Sequence, residues 1–328
     1  MSDEWKRNFV EMLEGSTSGQ SRVDDAMAFK EQHLPRRIYK YRSDCAESRD
    51  CLRTDSVWMA SPNSYNDPYD CSIMLSSTQL KRLLEARLVK VLIKAHRLHE
   101  HLSPEQINNA LTSLEPLRQI VECFPSSPGA PQGRDWSNEA ASFSATVSEL
   151  AKAATETIGG WRKLAKICSF SEVPDSLLMW SHYADHHRGF CIEYDLESLG
   201  NSNHFFRKNL YPVLYSADLY DLSPFVEGLA GGPETRGDFQ PMLLLLAMLT
   251  KFGGWQYENE WRLFQEKPGI VADGKKDAPI PSKIFLGERF DDSKGKELLA
   301  ICNEKKIALS RMHLAKDKFQ VIAEEFKQ

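Results

Sequence analysis

Glu258 and Glu260 stand two residues apart in the run Trp255 to Gln265, WQYENEWRLFQ, just ahead of Arg262. Read as a strand, this run puts Glu258, Glu260, Arg262 and Phe264 on one face and Tyr257, Asn259, Trp261 and Leu263 on the other, with the two carboxylates roughly 7 Å apart. Carboxylates so placed suit a reaction in which one steadies a developing positive charge and the other takes a proton from a nucleophile. The same spacing also describes a solvated ladder in which both acids pair with Arg262 at little gain in stability.

A second chemistry-bearing stretch runs from Cys168 to Asp195, CSFSEVPDSLLMWSHYADHHRGFCIEYD. Ser169 and Ser171 share a strand face, where a hydroxyl either binds a ribose or an amide or is simply a satisfied polar group. Trp180 and Tyr183, three apart, either stack on a flat ring or form one packing face of a helix. His182 and His186 have the i, i+4 spacing of paired ligands, but no H-E-x-x-H arrangement surrounds them and no metal is expected. Farther upstream, Ile38, Lys40 and Arg42 share a strand face, with Tyr39 and Tyr41 on the other. The planar fork of Arg42 suits a diphosphate in a way lysine cannot reproduce, while charge on this strand also fits a protected sheet edge. Asn66-Asp67-Pro68 reads first as a rigid turn; its functional version puts Asn66 or Asp67 at a cleft rim.

These groups are scattered over more than two hundred positions, so a fold has to gather them. Strands are expected at Ile38 to Arg42 and Val57 to Ala60, followed by a Pro/Asn-rich turn over Ser61 to Asp70. A helical segment covers about 78–163, where Leu80, Leu84, Leu88, Val91, Leu92 and Ala95 recur on one helix face. Ser103 before Pro104 and Glu105 starts a helix inside it, and 124–133 is a loop. Pro241 to Phe252 reads as a buried helix that Gly253 and Gly254 end. Strands are expected again over Trp255 to Gln265 and Lys283 to Gly287. A helix follows at Lys294 to Glu304, and a strand pair or a strand and tail over Ile307 to Phe326. Strands, then helices, then strands indicate an α+β fold with the helical block to one side. The domain reading is an N-terminal helix and linker over 1–34 and a single α+β domain over 35–328, with a helical insertion at about 78–163.

The 328 residues carry a formal charge of -5, which argues against a dedicated nucleic-acid binder. Seven scattered cysteines with no C-x-x-C pair suggest neither a disulfide framework nor a four-cysteine zinc site, and fit a reducing cytoplasm. The first thirty residues have no signal-peptide core, and Met242 to Leu249 is too short to span a bilayer, so no membrane partner is expected.

IYKYRS at Ile38 to Ser43, the following SVWMASPNSYNDPYD, the segment Ser169 to Asp195 and GGWQYENEWRLF at Gly253 to Phe264 resemble the signature segments of a bacterial family of unknown function. That family is numbered 2971 in the domain-of-unknown-function series. The resemblance covers most of the chain outside the N-terminal tail and parts of the helical insertion, and it implies no activity. A looser resemblance joins the aromatic-basic strand, Ser169-Phe170-Ser171 and the Glu-x-Glu of Glu258 and Glu260 to the three-part site of ADP-ribosyltransferases, in the same order. Lys40 stands where one branch of that superfamily has histidine.

This second resemblance implies an ADP-ribosyltransferase-like split antiparallel sheet core carrying the helical insertion. It also implies NAD, or a related nucleotide, as substrate. Lys40 and Arg42 would hold the dinucleotide, Ser169, Ser171, Tyr183 and Trp180 would line its nicotinamide end, and Asn66 would stand at the rim. Glu260 would stabilise the reacting sugar while Glu258 orients or deprotonates the acceptor. ADP-ribose would pass to a protein or nucleic-acid acceptor or to water, chemistry that suits a bacterial toxin or phage-defence effector. Two other classes stand beside it: a non-catalytic nucleotide-sensing or protein-interaction module, and a metal-dependent nuclease using Asp67, Asp70 and the histidines.

Overall fold

β1 (Arg37–Arg42) buries side chains on both faces, which places it inside a sheet rather than at the charged edge its sequence also allowed. The computed structural model describes residues 4–15, 20–95, 97–123, 136–199, 204–224, 242–265 and 273–326. The loop expected at 124–133 lies outside them. The strands after β1 are β2 (Ser56–Met59), β3 (Ile73–Met74), β4 (Ile167–Ser171), β5 (Phe190–Asp195), β6 (Leu210–Pro212) and β7 (Leu214–Ser216). They continue as β8 (Tyr220–Asp221), β9 (Thr250–Phe252), β10 (Glu260–Phe264), β11 (Gly274–Asp277), β12 (Lys283–Leu286), β13 (Ala308–Leu314) and β14 (Val321–Glu325).

Eight of these form one sheet in the order β14-β13-β12-β5-β1-β4-β10-β6. Only β12 and β13 run parallel within it. With helices gathered beside a mainly antiparallel sheet, the architecture is α+β. β1 pairs with β5 over six residue pairs, and β4 with β10 over five. β1 and β4, by contrast, meet only at Tyr39 opposite Ser171. The sheet is therefore seamed between its two halves.

One face of the sheet carries Ile38, Phe170, Ile192, Tyr194, Trp261 and Ile284 into the main core, and the other carries Tyr39, Tyr41, Cys191 and Phe285. The helices are α1 (Glu4–Glu14), α2 (Gln20–Gln32), α3 (Ala46–Arg53), α4 (Ser77–Ala95), α5 (Pro104–Thr112) and α6 (Pro116–Glu122). After them come α7 (Trp136–Gly159), α8 (Trp161–Leu164), α9 (Leu177–Tyr183), α10 (His204–Lys208), α11 (Met242–Leu249) and α12 (Lys296–Glu304). α4 to α7 close a core of their own around Val89, Ala110, Leu117 and Ile120. Ser103 caps α5 as its sequence suggests, in a capping box with Gln106 and with Pro104 in the first turn.

The N-terminal segment forms two helices rather than a helix and linker. Phe9, Leu13 and Ala26 are fully buried, and Trp5 stacks on Trp261 with ring centres 5.9 Å apart. Among the described residues no helix is long and apolar enough to cross a membrane.

The long strand expected over Trp255 to Gln265 forms only from Glu260. Residues Gly253–Glu258 turn as a 3-10 helix, and Asn259 takes a left-handed conformation with φ of 44° before β10 begins. Asparagine tolerates that region because its short amide can bond locally. The apolar helix likewise ends at Leu249, and Thr250–Phe252 becomes β9, paired parallel with β7.

Candidate functional site

The register places Tyr39, Ser171 and Glu260 side by side across β1, β4 and β10. Directly opposed residues project to the same side of a sheet, so all three belong to one face. A cavity of about 160 Å³ opens there, at the seam. Lys40, Asn66, Ser169, Ser171, Tyr183, Glu258 and Glu260, all singled out by sequence, line it together.

Four of the side chains that line the cavity, Asp70, Lys251, Glu258 and Glu260, join Arg262 in a buried network of acidic and basic groups. Lys251 Nζ is 2.5 Å from Glu258 Oε2, 2.7 Å from Glu260 Oε2 and 3.6 Å from Asp70 Oδ2. Arg262 Nε donates to Glu260 Oε1 at 2.9 Å, and its Nη2 to Asp70 Oδ1 at 2.6 Å. All five side chains are buried, so each depends on the others to offset the loss of water. Three carboxylates against two cations leave one negative charge in excess when all are ionised.

The environment sets the two glutamates apart. Burial disfavours the Glu260 charge, yet Arg262 and Lys251 hold its carboxyl well below the ordinary carboxylate range. For Glu258 burial outweighs the attraction of Lys251 and, with the repulsion of Glu260, pushes the carboxyl above its usual value. Burial alone would lower the Lys251 pKa, but Glu260 and Glu258 raise it above the usual lysine value. One acid is thus a fixed anion and the other is poised to take a proton.

Hydroxyls and backbone position the acids. Tyr183 Oη donates to Glu258 Oε1 at 2.7 Å, and Ser171 Oγ donates to the Glu258 carbonyl at 2.6 Å. The Glu260 amide donates to Tyr215 Oη at 2.9 Å. Burial, followed by the neighbouring Glu258, drives the Tyr183 phenol well above its ordinary pKa, so it stays protonated as a donor.

Several expected placements are corrected. Glu258 and Glu260 do not sit on one strand; the turn at Asn259 separates them, and Lys251 bridges them. Lys40 occupies the seam, where its ammonium donates to the Ser169 carbonyl at 2.6 Å. That carbonyl has no register partner on β1, and the lysine takes the place of the missing ladder bond. Burial pulls the Lys40 pKa below its usual value. Arg42, at the end of β1 opposite Phe190, does not line the cavity.

Trp180 is fully buried, meets Tyr41 edge-on at 5.3 Å and donates Nε1 to the Pro174 carbonyl. It packs α9 onto the sheet and leaves ring contact to Tyr183. The helix ends at Tyr183, and Asp185, His186 and His187 all have positive φ, so His182 and His186 do not share a helical turn. Asp67 accepts from Trp255 Nε1, and Asp70 is held by Arg262 and Lys251. Among the described residues no group of three or more His, Cys, Asp or Glu side chains is placed to hold a metal.

Lys251, the bridge of the network, is not among the residues that sequence reasoning selects. Its signal was a Thr-Lys step directly after eight apolar residues, in a run read as one buried helix. A lysine carried inside by such a segment needs carboxylate partners. In the sequence Asp70 suggests only a metal ligand, and nothing local marks Tyr215, whose hydroxyl accepts from the Glu260 amide.

No curated protein and no solved structure matches the chain. The protein-family model described as a protein of unknown function (DUF2971) matches residues 179–263, from α9 into β10, a span that holds Tyr183, Lys251, Glu258, Glu260 and Arg262. Over that quarter of its length, with four of the five members of the buried charge network inside it, the chain is similar to the DUF2971 family.

Proposed function

We propose that the protein is an NAD-consuming enzyme of ADP-ribosyltransferase type, which breaks the nicotinamide–ribose bond and passes ADP-ribose to a macromolecular acceptor or to water. The observation that carries this reading is Glu260, a carboxylate fixed in its ionised form, lining one cavity with Ser169, Ser171 and Tyr183 at the seam between β1 and β4. A single-pair junction between two halves of a mainly antiparallel sheet fits the split sheet that the ADP-ribosyltransferase resemblance implies.

The pyridinium ring of NAD is positive before reaction, and the charge passes to the ribose as the C1′–N bond breaks and its electron pair returns to the ring. An excess negative charge that needs no reorganisation favours both states, and the later one more where Glu260 lies closer to the sugar. The acceptor oxygen or nitrogen then bonds to C1′ and gives up its proton, for which Glu258, with its raised pKa, is the base. Neutral nicotinamide leaves. Arg42 has no part in this reading, and Lys40 acts by tying β1 to β4 across the seam through the Ser169 carbonyl. Transfer to a macromolecule would serve a toxin or phage-defence effector.

A specific observation supports a second reading. Lys251 neutralises both glutamates from within 2.7 Å, an arrangement that also suits a site that binds a nucleotide without turning it over. The test is nicotinamide release from NAD by the purified full-length protein. Release that Glu258→Gln lowers at least a hundredfold supports the enzyme, whereas a melting temperature raised by NAD with no release supports the sensor.

A further inference from the structure

Beside the cavity lies a wider groove of about 730 Å³, and the two share Asn66 and Lys251 in their walls. Five rings line it: Tyr69, His182, Phe252, Trp255 and Tyr257. Trp255 and Tyr257 have centres 6.0 Å apart, and His182 and Tyr257 6.4 Å. Phe252 is 58% exposed and Tyr69 67% exposed. The Phe252 ring rests over Gly254, where a Cβ would stand 2.6 Å from it. Trp255 is held from both sides, by its bond to Asp67 Oδ2 at 2.8 Å and by the Lys251 ammonium 5.3 Å from the ring centre.

Carboxylates outnumber cations among the side chains that line this groove, and of the two acids the exposed Asp218 is the one left to meet a ligand, since both Asp67 oxygens already accept from the Tyr69 amide and Trp255 Nε1. Asp67, Asp218 and Ser216 line it with Asn66, and its one lysine, Lys251, is already bound to three carboxylates. Such walls repel phosphate and leave rings as the attractive surface. Carboxylates and amides read the exocyclic amino edge of a base, and aromatic faces stack on its plane.

We propose that this groove is a nucleobase subsite, selective for amino-bearing bases such as adenine or cytosine. It deepens the reading of the inner cavity and rests on it only for the direction in which the rest of the substrate points. A base seated between Phe252 and Trp255 would have its sugar near Asn66 and Lys251, at the cavity mouth. The base has two possible sources, a free nucleoside or dinucleotide and an unpaired base in a strand.

Calorimetric titration of the full-length protein with adenosine, thymidine, NAD and a single-stranded oligodeoxyadenylate tests the proposal. Adenosine is expected to bind, and thymidine about tenfold more weakly. Phe252→Ala should weaken adenosine about tenfold, in keeping with the loss of one stacking face. Asp218→Ala should narrow the gap between adenosine and thymidine. Both side chains are exposed, and an unchanged melting temperature shows that the variants fold. Tighter binding of NAD than of adenosine assigns the base to the dinucleotide; tighter binding of the oligonucleotide assigns it to a strand. No adenosine binding, equal binding of thymidine, or full affinity in Phe252→Ala overturns the subsite. Adenosine binding without nicotinamide release would keep the subsite and remove the proposed reaction. Release with no adenosine binding, and an unchanged KM for NAD in Phe252→Ala, would do the reverse.

Discussion

Lys251 and Glu260 form a buried ion pair at 2.7 Å between the middle of the short strand β9 and the start of β10. The lysine reaches the site because α11 stops at Leu249 and the chain extends, so that Lys251 turns inward while Phe252 turns out. One helix-to-strand change thus supplies both the bridge of the charge network and the exposed ring of the outer groove.

Removing the bridge should cost stability. Lys251→Met leaves Glu258 and Glu260 facing each other in a buried site, and about 3–5 kcal/mol is the usual loss when one partner of a buried pair is deleted. Urea denaturation measures it. Adding Glu258→Gln to that variant should recover part of the loss, since the repulsion between carboxylates then disappears; a double variant as unstable as the sum of the single ones would show that the two residues do not interact.

Glu258 gives a pH signature of its own. Burial raises its pKa in the folded protein, so the folded state holds this proton more tightly than the unfolded chain. Its stabilising contribution is complete below the ordinary glutamate pKa and is lost as pH rises through the folded value. Glu258→Gln should flatten that decline in melting temperature as pH rises above the ordinary glutamate value. An unchanged slope would contradict the raised pKa.

The main sheet and helical block could be read from sequence because their periodicities are long and clean. Alternation in Ile38 to Arg42 and the recurring leucines of α4 have one physical reading each. The stretch before β10 was harder. Trp255 to Glu258 carry the alternation of a strand, yet the two glycines ahead of them and the left-handed Asn259 let the chain coil, and no local pattern reveals that choice. The side of the sheet on which Lys40 would act was also hidden. Its ammonium serves a carbonyl freed by a seam that depends on strands more than a hundred residues apart.

Lys30 offers a test of burial away from the site. Its side chain is fully covered, with Nζ donating to the carbonyls of Lys208 at 2.6 Å and Arg207 at 3.2 Å, at the end of α10. Burial lowers its pKa to about 7. Between about 7 and the usual lysine value the unfolded chain binds more protons than the folded one, so stability rises with pH across that window. The melting temperature of the wild-type protein should climb from pH 7 to 9 more steeply than that of Lys30→Met, which has no proton to exchange there. Parallel curves would place the Lys30 pKa near that of a solvated lysine.

Gly189 tests how closely the turn after α9 must approach β1. A Cβ there would stand 2.1 Å from the Arg42 carbonyl oxygen, a backbone atom that no rotamer change can move. The Gly189 amide also donates to the Ala184 carbonyl at 2.8 Å, which fixes its position from the other side. Gly189→Ala must therefore push the end of β1 away from β5 or distort the turn, and overpacking of this kind costs about 1–3 kcal/mol. The strain falls at the Arg42 end of β1, whereas the seam pair of Tyr39 and Ser171 lies three residues back along the strand. Chemical denaturation should show the loss in Gly189→Ala, while calorimetric binding of NAD falls by less than tenfold. Abolished binding in a folded variant would mean that the cavity depends on this turn more directly than the register across β1 and β4 implies.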